Sequence, residues 1–260
     1  MLRRMATETV DIVASLNNIR QLMKNACATR KQGFKEPLLI AVSKTKPVEM
    51  IVEAYQAGQK DFGENYVQEL IQKASDEQIL SKCPDIRWHF IGHLQRNKVT
   101  KLIGAPSLTV VDTVDSVKLA DALNSGWEKR QLDRKLDVML EINTSKEPNK
   151  HGIHPDQVVS IADHINARCP GLKLKGLMTI GAIEHSTNIR PNPDFVSLFA
   201  CHQALCEHLR VDPSELELSM GMSEDFEHAI EMGSSQVRVG SKIFGSRVYH
   251  TITDSGDEKE

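Results

Sequence analysis

The chain has 260 residues, 40% of them hydrophobic and 26% charged, with a net charge of −3. That length is close to the ~250 residues of a (β/α)8 barrel, and the slightly negative charge gives no reason to expect nucleic acid as a partner. No apolar run reaches the ~20 residues of a membrane-spanning helix, and five scattered cysteines without a CxxC pair point to neither a zinc motif nor a disulfide framework.

Residues 1–9 read as a tail without a long apolar stretch, so secretion is not expected. Arg3 and Arg4, with no acid before Glu8, leave mitochondrial import open beside a cytoplasmic location. An amphipathic helix is expected over residues 10–29, with Ile12, Leu16, Ile19 and Met23 on one face. Eight β-type runs follow, at residues 38–43, 60–63, 86–92, 108–112, 136–143, 172–180, 215–219 and 236–240. Amphipathic stretches lie between them, among them 48–57, 66–74, 116–129, 155–167 and 194–209. The first run, Leu38-Leu39-Ile40-Ala41-Val42, is continuously apolar, as buried parallel strands are. Alternating strand and helix imply a parallel sheet with right-handed crossovers. Eight such units favour closure, and no GxGxxG follows the first strand to support an open doubly wound sheet. The expected fold is therefore α/β, a single (β/α)8 TIM barrel over residues 10–250 with an extra N-terminal helix. Residues 251–260, polar and acidic, are expected to be disordered.

A barrel builds its site at the C-terminal ends of its strands. The first strand runs into Ser43-Lys44-Thr45-Lys46-Pro47. Lys44 would point into the mouth, where desolvation favours the neutral, nucleophilic amine; an ordinary surface lysine is the equally open alternative. Lys46 is expected at the rim, with Pro47 opening the next helix. The loops after strands seven and eight are where barrels often hold phosphate. Here they read Ser219-Met220-Gly221-Met222-Ser223, running into a helix expected near Glu224, and Gly240-Ser241. Backbone N–H groups, hydroxyls and permissive glycines suit an anion there, although the same glycines also suit plain turns. Arg238 in the last strand needs an acceptor: a phosphate, a ring nitrogen or a structural carboxylate. Glu64 and Asn65 either meet a ligand or cap a helix. His89 and His93, four residues apart, fall on no predicted helix, so their spacing supports no metal site.

Six segments together resemble a known family. They are Ala41-Val42-Ser43-Lys44-Thr45-Lys46-Pro47, residues 62–69, residues 88–98, Gly176-Leu177-Met178-Thr179-Ile180-Gly181, Leu218-Ser219-Met220-Gly221-Met222-Ser223 and Val237-Arg238-Val239-Gly240-Ser241. In this order they resemble the pyridoxal phosphate homeostasis proteins, whose fold is that of the alanine racemase N-terminal domain. The resemblance implies a fold-type III pyridoxal 5′-phosphate site, with Lys44 as the Schiff-base lysine and residues 219–223 and 240–241 as phosphate loops. It places Arg238 near the ring nitrogen and Asn65 close to the ring. It implies a cofactor-binding protein without robust catalysis, which buffers pyridoxal phosphate and delivers it to apo-enzymes. An arginine at the ring nitrogen would oppose its protonation and weaken the electron sink. Racemases supply a second base from a tyrosine of a partner subunit and carry an extra β domain; no room for that domain follows this barrel, so a monomer is expected. A minimal amino-acid racemase is the alternative.

Overall fold

The computed structural model describes residues 10–30 and 35–246. Eight strands, β1 (Leu38–Val42), β2 (Asp61–Glu64), β3 (Arg87–Phe90), β4 (Leu108–Val114), β5 (Leu136–Glu141), β6 (Leu172–Met178), β7 (Glu217–Ser219) and β8 (Gln236–Val239), form a closed barrel in sequence order. Every pairing is parallel, and β1 closes on β8 with Leu38 opposite Gln236 and Ala41 opposite Val239. Each strand lies within or overlaps its expected run. β1, β3, β5, β6 and β8 end sooner, because the last residues of those runs turn away into the loops of the mouth. β2 and β4 instead run past theirs, to Glu64 and Val114, β4 across a register shift between Val111 and Val114.

The helices are α1 (Ile12–Thr29), α2 (Val48–Gln56), α3 (Val67–Ala74), α4 (Glu77–Lys82), α5 (Val99–Leu102), α6 (Val117–Glu128), α7 (Val158–Arg168), α8 (Ile183–Asn188), α9 (Pro193–Leu209), α10 (Phe226–Glu231) and α11 (Ser241–Phe244). The sequence pattern missed α4, α5, α8 and α11, all too short to show a helical period. α1 begins at Ile12 because Asp11 takes the N-cap, its carboxylate accepting from Ala14 N at 2.8 Å. Its expected face is buried and packs on α2, α10 and α11, sealing the place where the barrel closes. The main core lies between the barrel wall and the helices, where Trp88, Phe62, Phe90 and Phe226 are almost wholly buried.

The barrel interior is not all apolar. His89 sits 3.2 Å from Asp61 Oδ1 and 3.4 Å from Asp112 Oδ2. Burial alone would discharge this imidazole, but the flanking carboxylates of Asp112 and Asp61 outweigh it and push its pKa up to about 9. Arg87 clasps the same Asp61 from outside with two nitrogens. Among the described residues, no helix is long and apolar enough to cross a membrane. The expected acidic tail, 251–260, lies outside the described residues.

Candidate functional site

A cleft of 390 Å³ opens at the C-terminal ends of β1, β7 and β8, within the size range of small-ligand sites. Lys44, Asn65, Met222, Ser223, Arg238, Gly240 and Ser241 all line it, drawn from four separate sequence segments. Val42, Ile91, Ile180 and Ile183 supply apolar walls. Ile183 is 82% exposed at the rim.

Lys44 is half-buried in a tight turn just after β1. Lys46 N bonds back to Ser43 O at 3.0 Å, and Thr45 stands at φ 63° to make the turn. The turn is anchored from below by a buried network that the sequence reading missed. Lys73, on α3, donates to Ser43 O at 2.7 Å, Glu64 Oε1 at 2.8 Å and Glu69 Oε1 at 2.6 Å. Glu64 also accepts from Ser43 Oγ at 2.6 Å, and Glu69 accepts from Thr45 N at 2.6 Å. Glu64 does not line the cleft; its Oε1 ties β2 to the lysine turn. Burial raises its pKa, with Lys73 and Ser43 opposing. The only available signal was the run of acids and lysine at Glu64, Glu69 and Lys73, which reads as an ordinary helix face.

Lys46 also reaches the cleft, but its Nζ donates to Gly245 O and Ser246 O, both at 2.9 Å. Its amine is committed to the rim, as expected from its place before Pro47.

The segment 219–223 divides. Met222 and Ser223 face the cleft, whereas Ser219 and Met220 are wholly buried and do not line it. Strand alternation sends the Met220 side chain into the outer core. Ser219 acts at one remove: its Oγ accepts from Arg238 Nη1 at 2.6 Å. Gly221 sits at φ 93°, and a Cβ there would stand 2.5 Å from Ala229 Cβ, so only glycine lets the loop turn onto α10. That helix starts at Phe226 rather than near Glu224, because Asp225 folds back to accept from Met222 N at 2.7 Å. Ser223 Oγ accepts from Gly240 N at 3.3 Å, which joins the β7 and β8 loops into one surface.

Arg238 is 4% exposed. Its second nitrogen donates to Thr179 O at 2.7 Å, so its direct partners are a hydroxyl and a carbonyl, not the structural carboxylate considered from sequence. Burial lowers its pKa, with Asp112, Asp225 and Glu141 opposing from a distance. Asn65 Oδ1 is buried with no hydrogen-bond partner among the described residues, so the amide is available to a ligand. One amine, a buried guanidinium, two serine-bearing loops and apolar walls together suit a flat aromatic aldehyde carrying a phosphate.

The sequence pattern of the alanine racemase N-terminal domain matches residues 10–248. The chain is 52% identical to the pyridoxal phosphate homeostasis protein of Bos taurus over 242 residues, 92% of this chain and 89% of that one. It belongs to this family. The human protein of the same name is 51% identical, over 90% of this chain and 86% of its own. Among solved structures, PipY of Synechococcus elongatus PCC7942 with PLP bound superposes with a TM-score of 0.73 at 30% identity, covering 90% of this chain and 100% of that chain. An alanine racemase of Clostridium difficile 630 shares the fold at 15% identity and a TM-score of 0.64; this chain spans 58% of its length.

Proposed function

We propose that this chain holds pyridoxal 5′-phosphate in the cleft at β1, β7 and β8 through a covalent link to the Lys44 ε-amine, and stores it for delivery to apo-enzymes. The observation that carries the reading is the meeting of Lys44, Arg238 and the two serine-bearing loops in one cleft, in a chain half identical to homeostasis proteins. The bound cofactor supplies a reactive aldehyde and a conjugated ring. Lys44 would hold the aldehyde carbon, the carbonyl oxygen leaving as water, Ser223 and Ser241 would take the phosphate, and the apolar walls would hold the ring. Arg238, kept in place by Ser219 and Thr179, would set a cation beside the ring nitrogen and so oppose its protonation.

A carrier needs binding without a placed acid–base pair. The two described tyrosines support that reading. Tyr55 bonds Asp85 under the Lys60 ammonium, and Tyr66 is exposed beside Asn65 rather than lining the cleft. The third, Tyr249, lies outside the described residues.

The test is borohydride reduction of the cofactor-loaded chain followed by peptide mass spectrometry. The pyridoxyl mass is expected on Lys44, absent from Lys44→Ala and kept in Lys46→Ala; a tag on another lysine would sink the assignment. The loaded protein should restore activity to an apo pyridoxal phosphate enzyme and show no α-hydrogen exchange on any common amino acid in deuterated water. Exchange that disappears with Lys44→Ala would replace the carrier by the racemase-like reading.

A further inference from the structure

The ends of β3, β4 and β5 bring three metal-binding side chains together on the far side of the mouth. His93 follows β3, Asp115 follows β4 and His151 sits in the loop after β5. His93 Nδ1 lies 3.4 Å from Asp115 Oδ2, and with one His151 nitrogen the three donor atoms all lie within 4.8 Å of one another. Ser116 holds the other Asp115 oxygen at 3.1 Å. Both histidines line a second pocket of 220 Å³, with Glu141 in its wall. Glu141 is 5% exposed, and its Oε2 has no hydrogen-bond partner among the described residues. A buried, unpartnered carboxylate oxygen at such a pocket calls for a donor from outside the chain.

We propose that His93, Asp115 and His151 form a binding site for a divalent cation of the zinc class, with a water as fourth ligand. Imidazole nitrogen and carboxylate oxygen are the donors such ions take, and three protein ligands leave one position open. Donors about 2.0–2.1 Å from a tetrahedral ion stand about 3.4 Å apart, so the His93–Asp115 separation already matches. His151, within 4.8 Å of both, has at most on the order of 1 Å to close. It also has to turn, because the two imidazoles now stack with centroids 3.5 Å apart and planes 9° from parallel, whereas an ion lies in the plane of each ring that binds it. His151 is exposed on its loop, so the turn meets little resistance. The Glu141 oxygen then has a partner in the metal-bound water, as outer-shell carboxylates do.

Two alternatives are weaker. His89 is enclosed between Asp61 and Asp112 and does not reach this pocket. Asp121, His164 and Cys169 also cluster, but burial and Asp121 push the Cys169 thiol up to about 11, so the thiolate that binds metal is scarce. The pattern of residues along the chain pointed to no metal, because these three ligands come from three separate loops.

The test titrates Co²⁺ into the full chain, with and without pyridoxal phosphate, and follows the visible d–d absorption, which is strong for tetrahedral sites. One saturable, zinc-displaceable ion per chain is expected. Binding should weaken at least about tenfold in His151→Ala, His93→Gln and Asp115→Asn, and stay unchanged in His164→Ala. Each variant's unfolding midpoint is read alongside, and exposed His151 gives a ligand whose removal leaves the core intact. No saturable binding in the native chain would overturn the proposal. So would binding indifferent to His151→Ala and Asp115→Asn, or lost in His164→Ala.

Discussion

The two sides of the barrel mouth are built differently. On the β1, β2, β7 and β8 side, position is set by backbone and by buried charge: the Lys44 turn rests on Lys73 and Glu64, and the Gly221 loop is pressed onto α10. On the β5 side, the loop of residues 143–153 is pinned at its base by Ile153 N to Glu141 O at 2.7 Å and by buried Thr144, but its tip, from Lys146 to His151, is mostly exposed and held by polar contacts such as Asn143 Nδ2 to Glu147 O at 2.9 Å and Lys150 Nζ to Glu147 Oε1 at 3.0 Å. The first side is held in one arrangement; the tip of the second can rearrange around a ligand. The difference teaches that a single ring of loops can divide rigid positioning from adaptable binding.

The largest effect expected on that contrast is from Lys73→Met. It leaves the Glu64 carboxylate buried without its cation and should cost about 3–5 kcal/mol, measured by urea unfolding. The same variant should slow pyridoxal phosphate uptake, because the Lys44 turn loses its support. A cost near zero would mean that the network does not hold the rigid side.

Gly221→Ala comes next, at about 2–3 kcal/mol, from a positive φ and a clash with Ala229 and Phe226. Thermal unfolding reads it, and restored stability in Gly221→Ala with Ala229→Gly would trace the cost to that contact.

An effect of similar size, about 3 kcal/mol at most, is expected at His89 and depends on pH. Its folded pKa of about 9 lies above the ordinary 6.5, so the folded state holds the proton more tightly. Its stabilisation is complete below pH about 6.5 and is lost as pH rises through about 9. His89→Gln should therefore flatten the fall in stability over that window, and an unchanged pH profile would show that His89 does not titrate there.

The smallest effect is from Lys150→Ala on the adaptable side, below about 1 kcal/mol because its ion pair is half-exposed. A larger loss would mean the β5 loop is as rigid as the other side, and the contrast would fail.

Much of this was legible along the chain. The continuously apolar β1 and the eight alternating units specify a closed parallel barrel, because burial on both faces and right-handed crossovers leave few other arrangements. The face of α1 followed from its helical period. Lys44, Met222, Ser223, Arg238, Gly240 and Ser241 could be picked out because a barrel places strand ends at its mouth. What tertiary structure alone decided was direction and company. Ser219 and Met220 belong to the same motif as Ser223, yet pleat alternation turns one toward Arg238 and the other into the core. Lys73 reads as a helix-surface lysine until folding brings it under Ser43, thirty residues away. His93, Asp115 and His151 share no local spacing at all. Local sequence governs period and propensity, whereas the meeting of side chains from separate loops exists only once the barrel has closed.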